Sequence, residues 1–431
     1  MSMLSPNRLG FAIAFALLCS CSSTPPATSN STSQAQAPSP VAAAPAKSAA
    51  TSSADTPARH ESFSAWQSDF RRLALAQGIS VATLDAALTG LEPDPGVIAA
   101  DSSQPEFTRP VWEYLDGAVS ASRVKRGQQL QVEYAATLSA IEQRYAVDAQ
   151  VLLAVWGMES AFGHNIGNKS VIRSLASLAY AGRRANFWQE QLLAALRILD
   201  AGDISARGMI GSWAGAMGQT QFMPTTYASH AVDFDGDGRR DIWNSASDAL
   251  GSAAHYLQAS GWQAGKPWGF QVALPDRFDY ALADTGIRKT YAQWYALGIK
   301  GTPQGLAADD RGYLLLPAGH RGPAFLVFGN FNSILKYNNS TSYALAIGLL
   351  SDAIRGQQLS LQWPRGDKPL SRHERIELQE QLSRLGFDPG IADGIIGANT
   401  RRAVRGFQQQ LGWPADGHPS QELLGRLRDR P

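Results

Sequence analysis

From Phe63 onward, apolar residues recur at spacings of three and four: Trp66, Phe70 and Leu73, then Leu130, Tyr134, Leu138 and Ile141. That period gives a helix one greasy face, so the body of the chain is expected to be mainly α, with helices packed face to face. Punctuation agrees. Asp148 is placed to cap a helix running to about Phe162 with Gly163 just past its end, and another from about Ala185 closes at Gly202. Between Gly265 and Gly329 the period breaks into short runs such as Tyr313-Leu314-Leu315-Leu316 and Ala324-Phe325-Leu326-Val327-Phe328, separated by Gly and Pro. This predicts a small, partly β subdomain over about 265–329. Helical periodicity returns from Ser333 to about Ile354.

At 431 residues the chain is long enough for more than one folded unit. Its only cysteines, Cys19 and Cys21, stand at the extreme N-terminus, so the folded body has none for a disulfide, thiol catalysis or a thiolate metal site. Arg8 precedes an apolar run from Leu9 to Leu18, too short to span a bilayer and right for the core of a signal peptide. Leu18-Cys19-Ser20-Cys21 resembles the lipobox of bacterial lipoproteins, with Cys21 the better lipid acceptor because small Ser20 precedes it. With Ser22 following, that resemblance implies a lipid anchor at the periplasmic face of the outer membrane. From Ser22 to Thr56 the residues are almost all Ser, Thr, Ala, Pro and Gln, which cannot offset the entropy of ordering. A stretched tether of this kind reaches on the order of 100 Å. The expected domains are therefore 1–21 signal and lipidated cysteine, 22–58 tether, 59–358 body, 359–369 linker and 370–431 tail.

Lys+Arg 38 against Asp+Glu 37 leaves a net charge of +1, which excludes a nucleic-acid protein held by a strong basic field. The tail is expected to be a small helical domain. It carries an internal echo, Gln379-Glu380-Gln381-Leu382-Ser383-Arg384-Leu385-Gly386 against Gln408-Gln409-Gln410-Leu411-Gly412, each copy followed by an aromatic and then Pro.

Chemistry concentrates in Leu152-Leu153-Ala154-Val155-Trp156-Gly157-Met158-Glu159-Ser160-Ala161-Phe162-Gly163. On a helix Leu152, Val155, Trp156 and Glu159 share a face, which sets a carboxylate on an apolar stripe. Its neighbours three and four positions away, Val155, Trp156, Phe162 and Gly163, include no cation. Desolvation without a positive partner raises a carboxyl pKa and keeps the proton that a general acid needs. The competing reading is a structural glutamate paired with an arginine from elsewhere, such as Arg173 or Arg197.

The segment Ser212-Trp213-Ala214-Gly215-Ala216-Met217-Gly218-Gln219-Thr220-Gln221-Phe222-Met223-Pro224 combines small residues, which let backbone approach a ligand, with polar side chains able to fix one. Met158-Glu159-Ser160, Gly215-Ala216-Met217-Gly218, Gln221-Phe222-Met223-Pro224 and Lys336-Tyr337-Asn338-Asn339-Ser340 with Tyr343 together resemble the lytic transglycosylase B family, in order, over roughly Phe63 to Ile354. The resemblance implies a lysozyme-like core acting on peptidoglycan glycan strands, with Glu159 as sole acid and base and no cofactor needed for the chemistry. It also implies substrate contacts at Ser212, Gln221, Tyr256, Tyr337, Asn338 and Tyr343. A hydrolytic muramidase and an idle wall-binding lipoprotein remain the alternatives.

Asp233-Phe234-Asp235-Gly236-Asp237-Gly238-Arg239 sets carboxylates at alternate positions with Gly at the sixth, an arrangement that wraps a hard cation such as calcium, the seventh residue, Arg239, lending its carbonyl. The twelfth position is Asn244 instead of the usual Glu, and the family resemblance implies a longer loop closed by Asp248. The tail, Leu370 to Leu427, resembles the common peptidoglycan-binding domain through Leu385-Gly386-Phe387, Asp393-Gly394-Ile395-Ile396-Gly397, Thr400, Ala403-Val404, Phe407-Gln408 and Asp416-Gly417. That implies a wall-holding role.

Overall fold

The computed structural model describes residues 62–102, 109–301, 305–358 and 360–430. Cys21 and the signal and tether expected before it lie outside the described residues. None of the described helices is long and apolar enough to cross a membrane.

The chain is mainly helical. An N-terminal series comprises α1 (Phe63–Ala76), α2 (Val81–Leu88), α3 (Pro95–Ser102), α4 (Val111–Ala118), α5 (Ala121–Glu133), α6 (Ala135–Tyr145) and α7 (Ala149–Ser160). There follow α8 (Val171–Ala181), α9 (Ala185–Asp200), α10 (Pro224–His230) and α11 (Ala246–Ala259). Serine hydroxyls at Ser62, Ser80, Ser170 and Ser245 accept first-turn N–H groups and so fix four of these starts, each worth about 1 kcal/mol.

Two expectations about α7 change. Asp148 occupies the N-cap position, but its carboxylate makes no capping bond; Arg355 lies 3.5 Å from it instead. The helix also ends earlier than expected, at Ser160, because Ala161, Phe162 and Gly163 all take left-handed conformations, with φ of 49°, 60° and 82°. The apolar pattern is more than a stripe. Every residue of α7 except Gln150 and Glu159 is buried, as befits a helix enclosed by others.

Two helical cores flank the site. One gathers Leu115 of α4, Leu130 of α5, Leu138 and Ile141 of α6, the α7 residues, Leu250 and Leu257 of α11, and a later helix pair. The second joins Trp66 and Phe70 of α1, Leu84 of α2, Leu175 of α8 and Trp188 of α9 to Met217, Phe222 and Trp243.

The β subdomain is present. Besides a two-stranded pair, β1 (Lys169–Ser170) with β2 (Ile210–Gly211), there is an antiparallel sheet in the order β3-β6-β5-β4. Its strands are β3 (Gly269–Val272), β4 (Lys289–Thr290), β5 (Arg311–Leu315) and β6 (Ala324–Val327), with α12 (Tyr291–Ala296) packed through Trp294 into a core of its own. The helix expected over 333–354 is two: α13 (Gly329–Tyr337) and α14 (Thr341–Ile354). Extended backbone at Asn338 ends the first, and the Ser340 hydroxyl caps the second.

The tail folds as α15 (Arg372–Arg384), α16 (Ala398–Gln410) and α17 (Gln421–Arg428) around Leu378, Leu382, Val404, Phe407 and Leu424. Its sequence echo has a structural counterpart. Phe387 N–H reaches Leu382 O and Trp413 N–H reaches Gln408 O across left-handed Gly386 and Gly412, the same helix-ending device twice. Two buried glutamines repeat a second device: Gln379 accepts the N–H of Gly394 and Gln408 that of Gly417. The tail is tied to the β subdomain by Arg405, which donates to Asp284 Oδ2 at 2.7 Å, and by His320, whose Nδ1 lies 2.7 Å from Asp416.

Candidate active site

Glu159 stands in the last turn of α7, where the helix is otherwise sealed. The residue keeps partial contact with solvent, the access a ligand needs, while atoms crowd its carboxyl closely. Burial pushes its pKa up to about 7, and the Tyr343 hydroxyl, donating to Oε1 at 2.5 Å, pulls weakly the other way. Neither a basic side chain nor a second carboxylate shifts it among the described residues. The structural ion pair fails as an explanation: Arg173 donates to the carbonyls of Glu92 and Pro93, and Arg197 to Gln77. An acid that holds its proton near neutrality, alone and reachable, can deliver it to a leaving oxygen and take one back.

Three tyrosines surround this carboxyl. Burial and the nearby Glu159 charge push the Tyr114 hydroxyl up to about 12 and hold those of Tyr337 and Tyr343 well above their ordinary range. Tyr343 is buried and meets the acid directly. Tyr337 donates to the carbonyl of Thr220 at 2.8 Å, and Tyr256 to that of Lys336 at 2.6 Å; their rings lie 4.9 Å apart, both beside Phe222. Tyr114 was not singled out in the sequence. Its signal was faint: a tyrosine between Trp112 and Leu115 on the buried side of a short helix.

The 212–222 loop is braced within itself. Ser212 Oγ accepts from Ala216 N–H at 3.0 Å, and isolated bridges join Gly211 to Met217 and Met217 to Phe222. Gly218 has φ 62°, and a Cβ there would come within 2.7 Å of the Ile242 carbonyl oxygen, so only glycine fits. Gln221 adopts φ 51° and donates to the carbonyls of Ile166 and Gly218. Next to Tyr337, Asn338 Oδ1 is buried without a partner, as is Thr220 Oγ1; such atoms call for a ligand or water.

Of the cation-loop residues, the fold brings three together. Carboxylate oxygens of Asp233, Asp235 and Asp248 lie within 4.8 Å of one another. Asp237 falls outside that group because its carboxylate turns to the N–H of Arg239 at 2.9 Å. Asp248 is fully buried and bonded by the N–H groups of Phe234, Asp235 and Asp241 with no basic side chain among its partners; burial holds its pKa up. Three converging carboxylates with one of them buried suit a hard, oxygen-seeking cation.

Residues 62–352 match the family described as the transglycosylase SLT domain, and 371–427 a putative peptidoglycan binding domain. The chain is 31% identical to membrane-bound lytic murein transglycosylase B of Escherichia coli strain K12 over 246 residues, 56% of this chain and 66% of that protein. It thus spans just under two thirds of that relative. SltB3 from Pseudomonas aeruginosa, solved with NAG-anhNAM-pentapeptide, superposes with a TM-score of 0.83 at 58% identity, covering 86% of this chain and all of the other. The E. coli lytic transglycosylase Slt35, solved with calcium, superposes with a TM-score of 0.59 at 27% identity, over 67% of this chain and 92% of the other. The lysozyme-like helical body and its acid without a charged partner thus have a lineage: this chain belongs to the SLT transglycosylase family of peptidoglycan-cleaving lytic transglycosylases and carries a peptidoglycan-binding domain over 371–427.

Proposed function

We propose that Glu159 alone carries the cleavage of the β-1,4 linkage between N-acetylmuramic acid and N-acetylglucosamine. Protonated Glu159 gives its proton to the bridging oxygen as the bond from muramic C1 breaks. The carboxylate then takes the proton of the muramic C6 hydroxyl as that oxygen bonds C1, closing a 1,6-anhydro ring and restoring the acid. No water is consumed. The observation that carries this reading is the isolation of the carboxyl: a two-carboxylate hydrolase needs a partner within reach, and no second acid influences Glu159 among the described residues. By the family resemblance Ser212, Gln221, Tyr256, Tyr337, Asn338 and Tyr343 would contact the sugar, and the partnerless Asn338 Oδ1 supports this at one of them. Mass spectrometry of digested sacculi tests the reaction. Fragments one water lighter than hydrolysis products, with ends that resist borohydride, are expected; reducible muramic ends mean a hydrolase.

Asp233, Asp235 and Asp248 would hold calcium as a brace for the loop after the cleft segment, supported by their convergence and by the calcium-bound relative. Bound there, the ion would neutralise the three converging carboxylates. The tail would keep the enzyme on the wall while Cys21, lipidated, tethers it to the outer membrane's periplasmic face. Sequence alone supports the anchor, and loss of membrane association in Cys21→Ala is its test.

A further inference from the structure

We propose that Gln219 is a positioning residue for the acid, joining the catalytic helix to the segment that closes the carboxylate cluster. The inference rests on Glu159 being the acid. Gln219 is buried, and both ends of its side-chain amide are bonded. Its side-chain oxygen accepts the indole N–H of Trp156 at 2.8 Å. Its side-chain amide donates to the carbonyl of Trp243 at 3.1 Å, and its backbone N–H to that of Ile242 at 2.8 Å. Asp241, just before them, gives its N–H to buried Asp248 at 2.8 Å.

Trp156 is the residue through which Gln219 reaches the acid. It lies three positions before Glu159, on the same face of α7, and its ring meets Phe162 edge-on at 5.8 Å and Tyr134 at 5.6 Å. The Phe162 ring in turn lies so close over Gly157 that a Cβ there would come within 2.7 Å of it. The oxygen of Gln219 also bears on the far side of the acid: a Cβ on Gly163, φ 82°, would approach it to 2.7 Å. One amide therefore touches the chain before and after Glu159, including the left-handed run that ends the helix. A glutamine facing the indole sets its rotation, the indole sets Phe162, and together they fix where the last turn presents the carboxyl. Electrostatic catalysis requires that position to be set before the sugar arrives.

The test is a double-mutant cycle on purified full-length protein with soluble glycan strands, reading release of anhydro ends. Gln219→Met keeps bulk and removes the acceptor; Trp156→Phe keeps an aromatic ring and removes the donor. Each is expected to lower kcat about tenfold with KM within about twofold, and the double variant to be no worse than either, because both break one contact. Rescue is the second arm. Gln219→Glu, held protonated by burial, retains an acceptor for the indole and an O–H donor for the Trp243 carbonyl, and should recover more of kcat than Gln219→Met. Unchanged kcat in the single variants, losses that multiply to about a hundredfold, or equal losses in Glu and Met overturn the proposal. Should Gln219→Met fail to fold, Trp156→Phe and Gln219→Glu decide alone: the first must lose kcat and the second must retain most of it. Absence of anhydro ends from the unaltered protein would instead strike at the assigned reaction.

Discussion

Tyr343 donates its hydroxyl proton to Glu159 Oε1 from a helix 184 residues further along the chain. Burial makes Glu159 a weak acid, and this bond favours the charged form against it. Two opposing influences therefore set the proton's hold.

Removing the weaker influence has a definite sign. Tyr343→Phe takes away the donor, so the Glu159 pKa rises above its value of about 7 and the acid stays protonated to higher pH. The alkaline limb of the kcat profile should move upward, even as kcat falls at the optimum. A limb that moves to lower pH would show that the hydroxyl does not bond the carboxylate.

Glu159→Gln should abolish turnover, since the amide has no proton to give, and should also stabilise the fold at high pH. The sign follows from linkage. The unfolded carboxyl ionises near 4.5 and the folded one near 7, so the native state holds the extra proton between them and stability falls as pH rises through that window. Above it the ionised acid costs on the order of 3 kcal/mol. Thermal melts should show the variant several degrees more stable at pH 8 and the gain gone near pH 4. A gain of the same size at both pH values would mean the carboxyl is not desolvated.

Much of this site was legible because its parts are local. Glu159 and the neighbours that deny it a cation lie within one helical turn, and the alternating aspartates lie within one loop. What escaped depends on packing across elements. Tyr114 and Gln219 matter through contacts with distant helices and loops, which periodicity does not report. Asp148 had the right type and place for a cap, yet Arg355, just past the end of α14, lies beside it. Asp237 fits the alternating pattern, but the nearest backbone N–H claims its carboxylate and buried Asp248 joins the cluster from the next helix. The break between α13 and α14 came from Ser340 capping a new helix, a signal masked by the apolar period running through it.

Calcium should raise the melting temperature. Binding at a hundredfold excess over Kd adds about 2.7 kcal/mol, or a few degrees for a body of this size. Asp235 is the exposed member of the cluster, bonded to Ser245 Oγ at 2.6 Å, so Asp235→Asn should fold and lose most of the shift between chelator and calcium. A shift of full size in that variant would place the ion elsewhere.

The tail's attachment should fail in acid, and Asp416 is why. Burial alone would raise its pKa, but the His320 ring and backbone, the His418 N–H and the Gln408 amide, all between 2.7 and 2.8 Å, hold it down to about 2. A depressed carboxyl stabilises the fold above its unfolded value near 3.8, and the contribution drains as pH falls towards 2. Asp416→Ala strands those donors, at about 1–3 kcal/mol for each left buried and unpaired. At pH 7 the variant should melt several degrees lower, with the tail unfolding as a separate early transition because a tie to the β subdomain is gone. The gap between variant and unaltered protein should narrow steadily from pH 4 to pH 2 in calorimetry. A gap that stays constant over that range would mean that Asp416 is held by shape and not by its charge.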